Sequence, residues 1–414
     1  MISSDFKKVF PYALVVFFGF VGFSMPLPIL PKMFLDPQYG ILPFNYSEQV
    51  KTFLLGLIMS AYPFGQLIGA PILGKCSDRW GRKKILLISL AGCMIGYICT
   101  AIAVSTTNVL SIFFGLFFTG LCEGNIAIAQ SVVADLAGPE DAGKKTIYFG
   151  WINLFVCFAF IVGPILGGQL SDSSVISWFT FSTPFWIAAT MTLIGIGTIF
   201  YFSEETRELL PEEEVLSYWK SFKKGMKQKV LCKMYLVNFF LALGYFAYFR
   251  FFPVYLQSKF AFSSSLIGYS IAYGSIAFAL SAFLFLKPIS KRMSPQKAVG
   301  FFSVFLAISI LVILLPISSW SILITTIPSN ICLAVVMTYA SVIVSNAASP
   351  SFQGQALGAL TSVQVLAESL TGIGGGVLAG YYISLPILVG AFMLLIASLF
   401  LFAFRNEKAD ASVS

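Results

Sequence analysis

The chain has 414 residues, of which 57% are hydrophobic, 16% aromatic and only 11% charged. Soluble domains carry about 25% charged residues, so a water-soluble globular fold is excluded and a polytopic membrane protein is expected. The net charge of +8 does not point to nucleic acid: of the 26 Lys and Arg, all but Lys32, Lys51, Arg250 and Lys259 fall in the termini or in segments that share one side, which is the positive-inside distribution.

A spanning helix needs roughly 20 apolar residues. Twelve are predicted, near 9–35, 51–73, 85–105, 109–134, 147–170, 180–202, 231–257, 265–286, 298–316, 319–346, 355–382 and 385–404. The fold class is therefore an all-α membrane protein. The predicted domains are an N-terminal six-helix bundle (1–202), a charged cytoplasmic linker (203–230) and a C-terminal six-helix bundle (231–414). The linker is acidic first, with Glu204, Glu205, Glu208 and Glu212 to Glu214, and then basic. Both termini are expected in the cytoplasm. Lys7 and Lys8 precede an apolar run as in a signal peptide, but the run is too long and contains Pro26, Pro28 and Pro31. It reads as a retained first helix whose outer end the prolines break up. Short external loops fit a bacterial inner membrane. The one long external loop, 36–50, holds Asn45-Tyr46-Ser47, which reads as a chance glycosylation triplet.

Between the second and third spans lies Gly74-Lys75-Cys76-Ser77-Asp78-Arg79-Trp80-Gly81-Arg82-Lys83-Lys84-Ile85-Leu86. It reads as a tight cationic turn with glycines where the backbone needs freedom. A partial echo, Leu286-Lys287-Pro288-Ile289-Ser290-Lys291-Arg292, sits at the matching place in the second half. It supports two pseudo-symmetric bundles. The first copy closely resembles the signature between helices 2 and 3 of the major facilitator superfamily, with Cys76 as a departure. That resemblance implies a cytoplasmic gate of Gly74, Asp78, Arg79, Gly81 and Arg82. In it Asp78 meets the start of helix 11, and Arg79 or Arg82 pairs with Asp135.

The fifth span carries Gly163-Pro164-Ile165-Leu166-Gly167-Gly168. Proline removes a helical hydrogen bond and kinks the helix, and the glycines bare one face for a neighbouring helix. Gly163, Pro164, Gly167 and Gly168 resemble the antiporter signature of the superfamily's drug–proton exchangers. The first span, Gly22 to Pro31, and the segment Gln353 to Gly358 are similar to the tetracycline and multidrug exporters. The fourth span departs: Leu116 stands where the family carries an Arg associated with proton transfer.

Among the 18 acids only Glu123 and Glu368 fall inside apolar spans. A charge at a helix centre costs about 2.5–3.5 kcal/mol, so neither is expected to face lipid. A carboxyl removed from water favours its neutral form, and the chain has no His. Glu123 and Glu368 are thus the proton-coupling candidates. Thr119, Glu123, Ala127 and Ser131 recur every four residues in the fourth span. Gln364, Glu368, Gly372, Gly376 and Gly380 do so in the eleventh. Asn125, Arg250, Tyr245 and Gln364 are substrate-cavity candidates. Arg250 is open to three readings: snorkelling outward, balancing a Glu, or meeting an anionic substrate.

The expected function is proton-coupled efflux of a small apolar or amphipathic solute by alternating access. Two alternatives stand beside it. One is an importer, proton-coupled or facilitated, of a nutrient or metal–siderophore complex. The other is a transporter-like sensor without flux. No cofactor is expected beyond the proton as coupling ion. Neither a metal site nor an enzyme is expected, because Cys-x-x-Cys, His and a nucleophile–base pair are all missing. The expected partners are a small-molecule substrate and the lipid bilayer, with the chain acting as a functional monomer.

Overall fold

The computed structural model describes residues 4–36, 40–43, 45–137, 142–205, 228–315, 318–349 and 352–410. Most of the predicted linker, residues 206–227, lies outside the described residues. The helices are α1 (Ser4–Ser24), α2 (Leu30–Leu35), α3 (Glu48–Trp80), α4 (Arg82–Ser105), α5 (Val109–Cys122), α6 (Asn125–Ala137) and α7 (Ala142–Leu170). They continue with α8 (Thr183–Phe202), α9 (Lys229–Phe260), α10 (Ser264–Arg292), α11 (Pro295–Ile313), α12 (Ser319–Ala347), α13 (Gln353–Ala379) and α14 (Leu385–Asp410). No strand occurs among the described residues. Hydrocarbon offers backbone groups no partner, so spanning segments must satisfy their own hydrogen bonds as helices. Twelve spans of sufficient length and apolarity occur among the described residues, α5 and α6 together making the fourth.

Local chemistry places the ends. Asn108 caps α5 by accepting the Ser111 N–H at 3.0 Å. Pro184 and Pro295 open α8 and α11, where a missing N–H carries no penalty. A left-handed Ala261 ends α9. As the prolines predict, the first span breaks up after Ser24, and the chain turns over 25–29 before α2.

The cationic stretch departs from expectation. Residues 74–80 are not a turn but the last two turns of α3, and Gly81 is the only non-helical residue before α4. A helix of 33 residues is about 50 Å long, against about 30 Å of hydrocarbon. Its charged end therefore extends beyond the apolar layer without needing to turn. The echo at 286–292 is likewise helical, within α10.

Two compact units divide the chain. The first comprises Met1–Tyr46, Leu57–Ser217 and Phe262–Ala272. Its core joins α1 (Val9, Ala13, Val16), α4 (Ile85, Leu86, Leu90), α6 (Ile128, Val132, Val133), α7 (Tyr148, Ile152) and α8 (Ile199). The second comprises Ser47–Gly56, Tyr218–Ala261 and Tyr273–Ser414, so it holds the first turns of α3. Those turns pack on α13: a Cβ on Gly56 would stand 2.7 Å from the Gly376 Cα, and one on Gly380 2.9 Å from the Gln49 Cα. The small-residue stripe of the eleventh span is thus a helix-packing surface.

Gly81 has φ +98° and ψ 141°, a region essentially reserved for glycine. Glu205 accepts the N–H groups of Arg82 at 2.8 Å and Lys83 at 3.1 Å, capping the start of α4. Its Oε2 lies 2.6 Å from where a Cβ on Gly81 would sit. In return Lys83 Nζ donates to the Phe200 and Ser203 carbonyls at 3.1 and 2.6 Å, closing the end of α8. Gly81→Ala is expected to destabilise the protein by about 1–3 kcal/mol, read as a lower unfolding midpoint in detergent. Gly374→Ala, at a helical position with open space around it, is expected to leave the midpoint unchanged or raised.

Candidate functional site

Glu123 sits at an interruption of the fourth span. Its backbone, φ −78° and ψ 57°, is that of an inverse γ-turn, closed by the Gly124 N–H on the Cys122 carbonyl at 2.8 Å. The ladder resumes when Ile128 N–H reaches the Gly124 carbonyl at 3.0 Å. Neighbouring α4 serves the interrupted backbone: Ser89 Oγ donates to the Cys122 carbonyl at 2.6 Å and Cys93 Sγ approaches the Thr119 carbonyl at 3.7 Å. The break corrects the expected four-residue stripe, because Ala127 beyond it faces outward.

The carboxyl is buried, with 2% of Glu123 exposed. Cys93 Sγ donates to Oε2 at 3.2 Å, while Oε1 has no hydrogen-bond partner. Asn125, also 2% exposed, is brought beside it as the first residue of α6. A Cβ on Gly19 of α1 would lie 2.9 Å from Glu123 Oε1 and 3.6 Å from Asn125 Oδ1. Glu123 and Asn125, two of the predicted residues, therefore converge. Cys93, Tyr97 and Gly19 were missed. The signal available for the first two was the spacing of Ser89, Cys93, Tyr97 and Thr100 along α4, all of which the structure buries.

In the second unit Arg250 of α9 forms an ion pair with Glu368 of α13, and the two residues are 4% and 5% exposed. Of the three readings of Arg250, this geometry is the balanced one, and snorkelling is corrected. A long side chain reaches the interface only when nothing inside satisfies it, and here an acid does. Tyr245, buried five residues before Arg250, has a hydroxyl without a partner. Gln364 is half-buried one turn before Glu368. Glu123 and Glu368 are therefore unlike: one meets a thiol and an empty lone pair, the other a guanidinium.

The gate residues group around Arg82, which is buried at the start of α4. It reaches Asp78 Oδ1 at 3.3 Å and Asp135 Oδ2 at 2.5 Å. Of the two expected partners for Asp135, Arg82 is the one used. Gly74, Asp78 and Arg79 ride on the last turns of α3. In the fifth span, α7 runs through Pro164 without a break in its helix. Gly163 faces Ser24, Gly167 the Met25 backbone and Gly168 the Ser264 backbone, so the bared face is filled by α1 and the start of α10. Beyond it Gln169 Nε2 donates to Tyr269 Oη at 2.8 Å and Ser265 Oγ to Asp172 Oδ2 at 3.1 Å. Burial pushes the Asp172 carboxyl up, but hydrogen bonds from Ser174 and Ser265 and the Lys32 charge outweigh it and hold the group below its ordinary range. Its acceptor contacts are thus kept at neutral pH and given up only as pH falls through that lowered value.

The model of the Major Facilitator Superfamily matches residues 12–327 and 234–414. The chain is 28% identical over 377 residues to the class D tetracycline resistance protein of Salmonella ordonez, covering 88% of this chain and 86% of that one. It is 29% identical over 187 residues to the class B tetracycline resistance protein of Escherichia coli, covering 45% of this chain and only 42% of that protein's length. Among solved structures, a D-xylose–proton symporter matches with a TM-score of 0.77 at 15% identity, covering 96% of this chain and 97% of that one. That likeness speaks for the fold alone. With the family model matching both halves of a twelve-span helical chain, this protein belongs to the Major Facilitator Superfamily and is a transporter, not an enzyme.

Proposed function

We propose that the protein exports a small apolar or amphipathic solute in exchange for protons, with Glu123 as the group that takes the proton. The observation that carries this reading is the buried Glu123 carboxyl at a helix break, with one oxygen bonded by Cys93 and the other unpartnered. A charged carboxylate there costs several kcal/mol, and either a proton or a solute group removes that cost. Two occupants that relieve the same cost compete, and under alternating access competition becomes exchange. The names of the relatives, tetracycline resistance proteins, support the direction.

The driving force is adequate. One charge crossing 100 mV supplies about 2.3 kcal/mol and one pH unit about 1.4 kcal/mol. Together they sustain a solute gradient of several hundredfold per proton, at about 1.4 kcal/mol for each tenfold.

Glu368 takes a supporting role in this reading. Its charge is already met by Arg250, so the pair holds α9 to α13. In this reading the Arg82 cluster acts as a latch at the cytoplasmic face, a side that the positive-inside pattern supports.

Four outcomes test the proposal. Everted vesicles acidified inside, with tetracycline as first probe, are expected to accumulate solute as protons leave. Glu123→Gln is expected to abolish that dependence on the pH gradient while leaving the protein inserted; loss of solute on acidification marks an importer instead. Glu368→Gln alone leaves a buried cation and is expected to destabilise by about 3–5 kcal/mol, whereas Arg250→Met with Glu368→Leu recovers most of the loss. Asp135→Asn is expected to slow turnover with insertion intact; normal turnover in that variant removes the latch.

A further inference from the structure

We infer that the break in the fourth span is also a binding site for a monovalent metal cation of the sodium type, held by side-chain oxygens of Glu123, Asn125 and Tyr97. Three buried oxygens there lack partners: Glu123 Oε1, Asn125 Oδ1 and Tyr97 Oη. All three residues are only 2% exposed. They line one glycine face of α1. A Cβ on Gly19 would stand 2.9 Å from Glu123 Oε1 and 3.6 Å from Asn125 Oδ1, and one on Gly22, three residues on, would meet Tyr97 Oη.

A proton placed on Glu123 adds one donor, and the Tyr97 hydroxyl carries its own; with the side chains arranged as they are, none of the three oxygens is hydrogen-bonded. Each buried oxygen left over costs about 1–3 kcal/mol. The inferred cation takes a lone pair from each. The donor chemistry selects its kind. Carboxylate, amide and phenol oxygens suit hard cations, and no group of three His, Cys, Asp or Glu able to hold a metal exists among the described residues. One carboxylate neutralises one positive charge, so a divalent ion would leave an uncompensated charge in the bilayer core. Interrupted helices at membrane depth are where such ions are held in transporters.

The titratable groups facing Glu123 are Tyr62 of α3 and Cys93 and Tyr97 of α4; α1 presents glycine and α6 the neutral Asn125. Sodium and protons therefore compete for one carboxylate. The site shares Glu123 with the proton reading above, but its test needs no transport.

The experiment is the unfolding midpoint of the purified full chain in NaCl, KCl and choline chloride at constant ionic strength, with equilibrium binding of radioactive sodium alongside. Sodium is expected to raise the midpoint saturably, following mass action, and the gain is expected to shrink as pH is lowered. Asn125→Ala and Tyr97→Phe are each expected to weaken sodium binding ~10-fold or more, as loss of a metal-site group does. Should a variant fold poorly, radioactive sodium binding to the unmodified chain, displaced by acid but not by choline, carries the same information. Equal midpoints in NaCl and choline chloride with no bound sodium overturn the site, as does sodium binding untouched by both substitutions. Solute flux that follows the pH gradient but ignores sodium leaves the proton reading standing while this one falls.

Discussion

Within the first unit, a carboxyl group held out of water with half of its hydrogen-bonding capacity unused governs what the surrounding helices must do. Glu123 is placed by an inverse γ-turn; a continuous helix would have carried its side chain in register with Thr119 and Ala127. The turn costs backbone hydrogen bonds, which are dear in a membrane interior. Ser89 of α4 recovers part of that cost by donating to the Cys122 carbonyl, while the single S–H of Cys93 serves the Glu123 carboxyl. The glycine face of α1 leaves room at the unpartnered oxygen. Four helices thus maintain an arrangement that no single one of them prefers. A small mobile cation is the simplest occupant that completes it.

The second unit solves the same electrostatic problem differently. Arg250 and Glu368, 118 residues apart, neutralise each other in a buried ion pair. Such a pair contributes little net stability, yet breaking it strands a charge. It therefore fixes how α9 and α13 meet, while Glu123 has no such counter-charge in its hydrogen bonds. Elsewhere, charge is used at helix ends. Glu205 and Lys83 cap α4 and α8 reciprocally, and Arg82 binds the end of α3 to α6 through Asp78 and Asp135.

Much of the fold was legible in the sequence because lipid leaves few options. Long apolar runs must be helices, so their number and approximate limits follow from hydropathy, and the prolines at 26 and 28 announced the end of α1. The two intramembrane acids stood out for the same reason, since any charge there demands a partner. Which partner was not legible. A one-dimensional pattern does not show that Arg250 meets Glu368, or that Glu205 rather than a neighbouring acid reaches the start of α4. The break at Glu123-Gly124 was hidden inside an unremarkable apolar run. The end of α3 was mistaken for a turn because glycine and charge mark both a turn and a helix leaving the bilayer.

Infrared difference spectroscopy on the purified protein, comparing acid with alkaline conditions, addresses the central claim most directly. A buried protonated carboxyl gives a carbonyl stretch distinct from that of a carboxylate. The account predicts such a band at low pH that disappears on alkalinisation and is missing at every pH in Glu123→Gln. An identical band in Glu123→Gln, or no pH-dependent band in the unmodified chain, would contradict it.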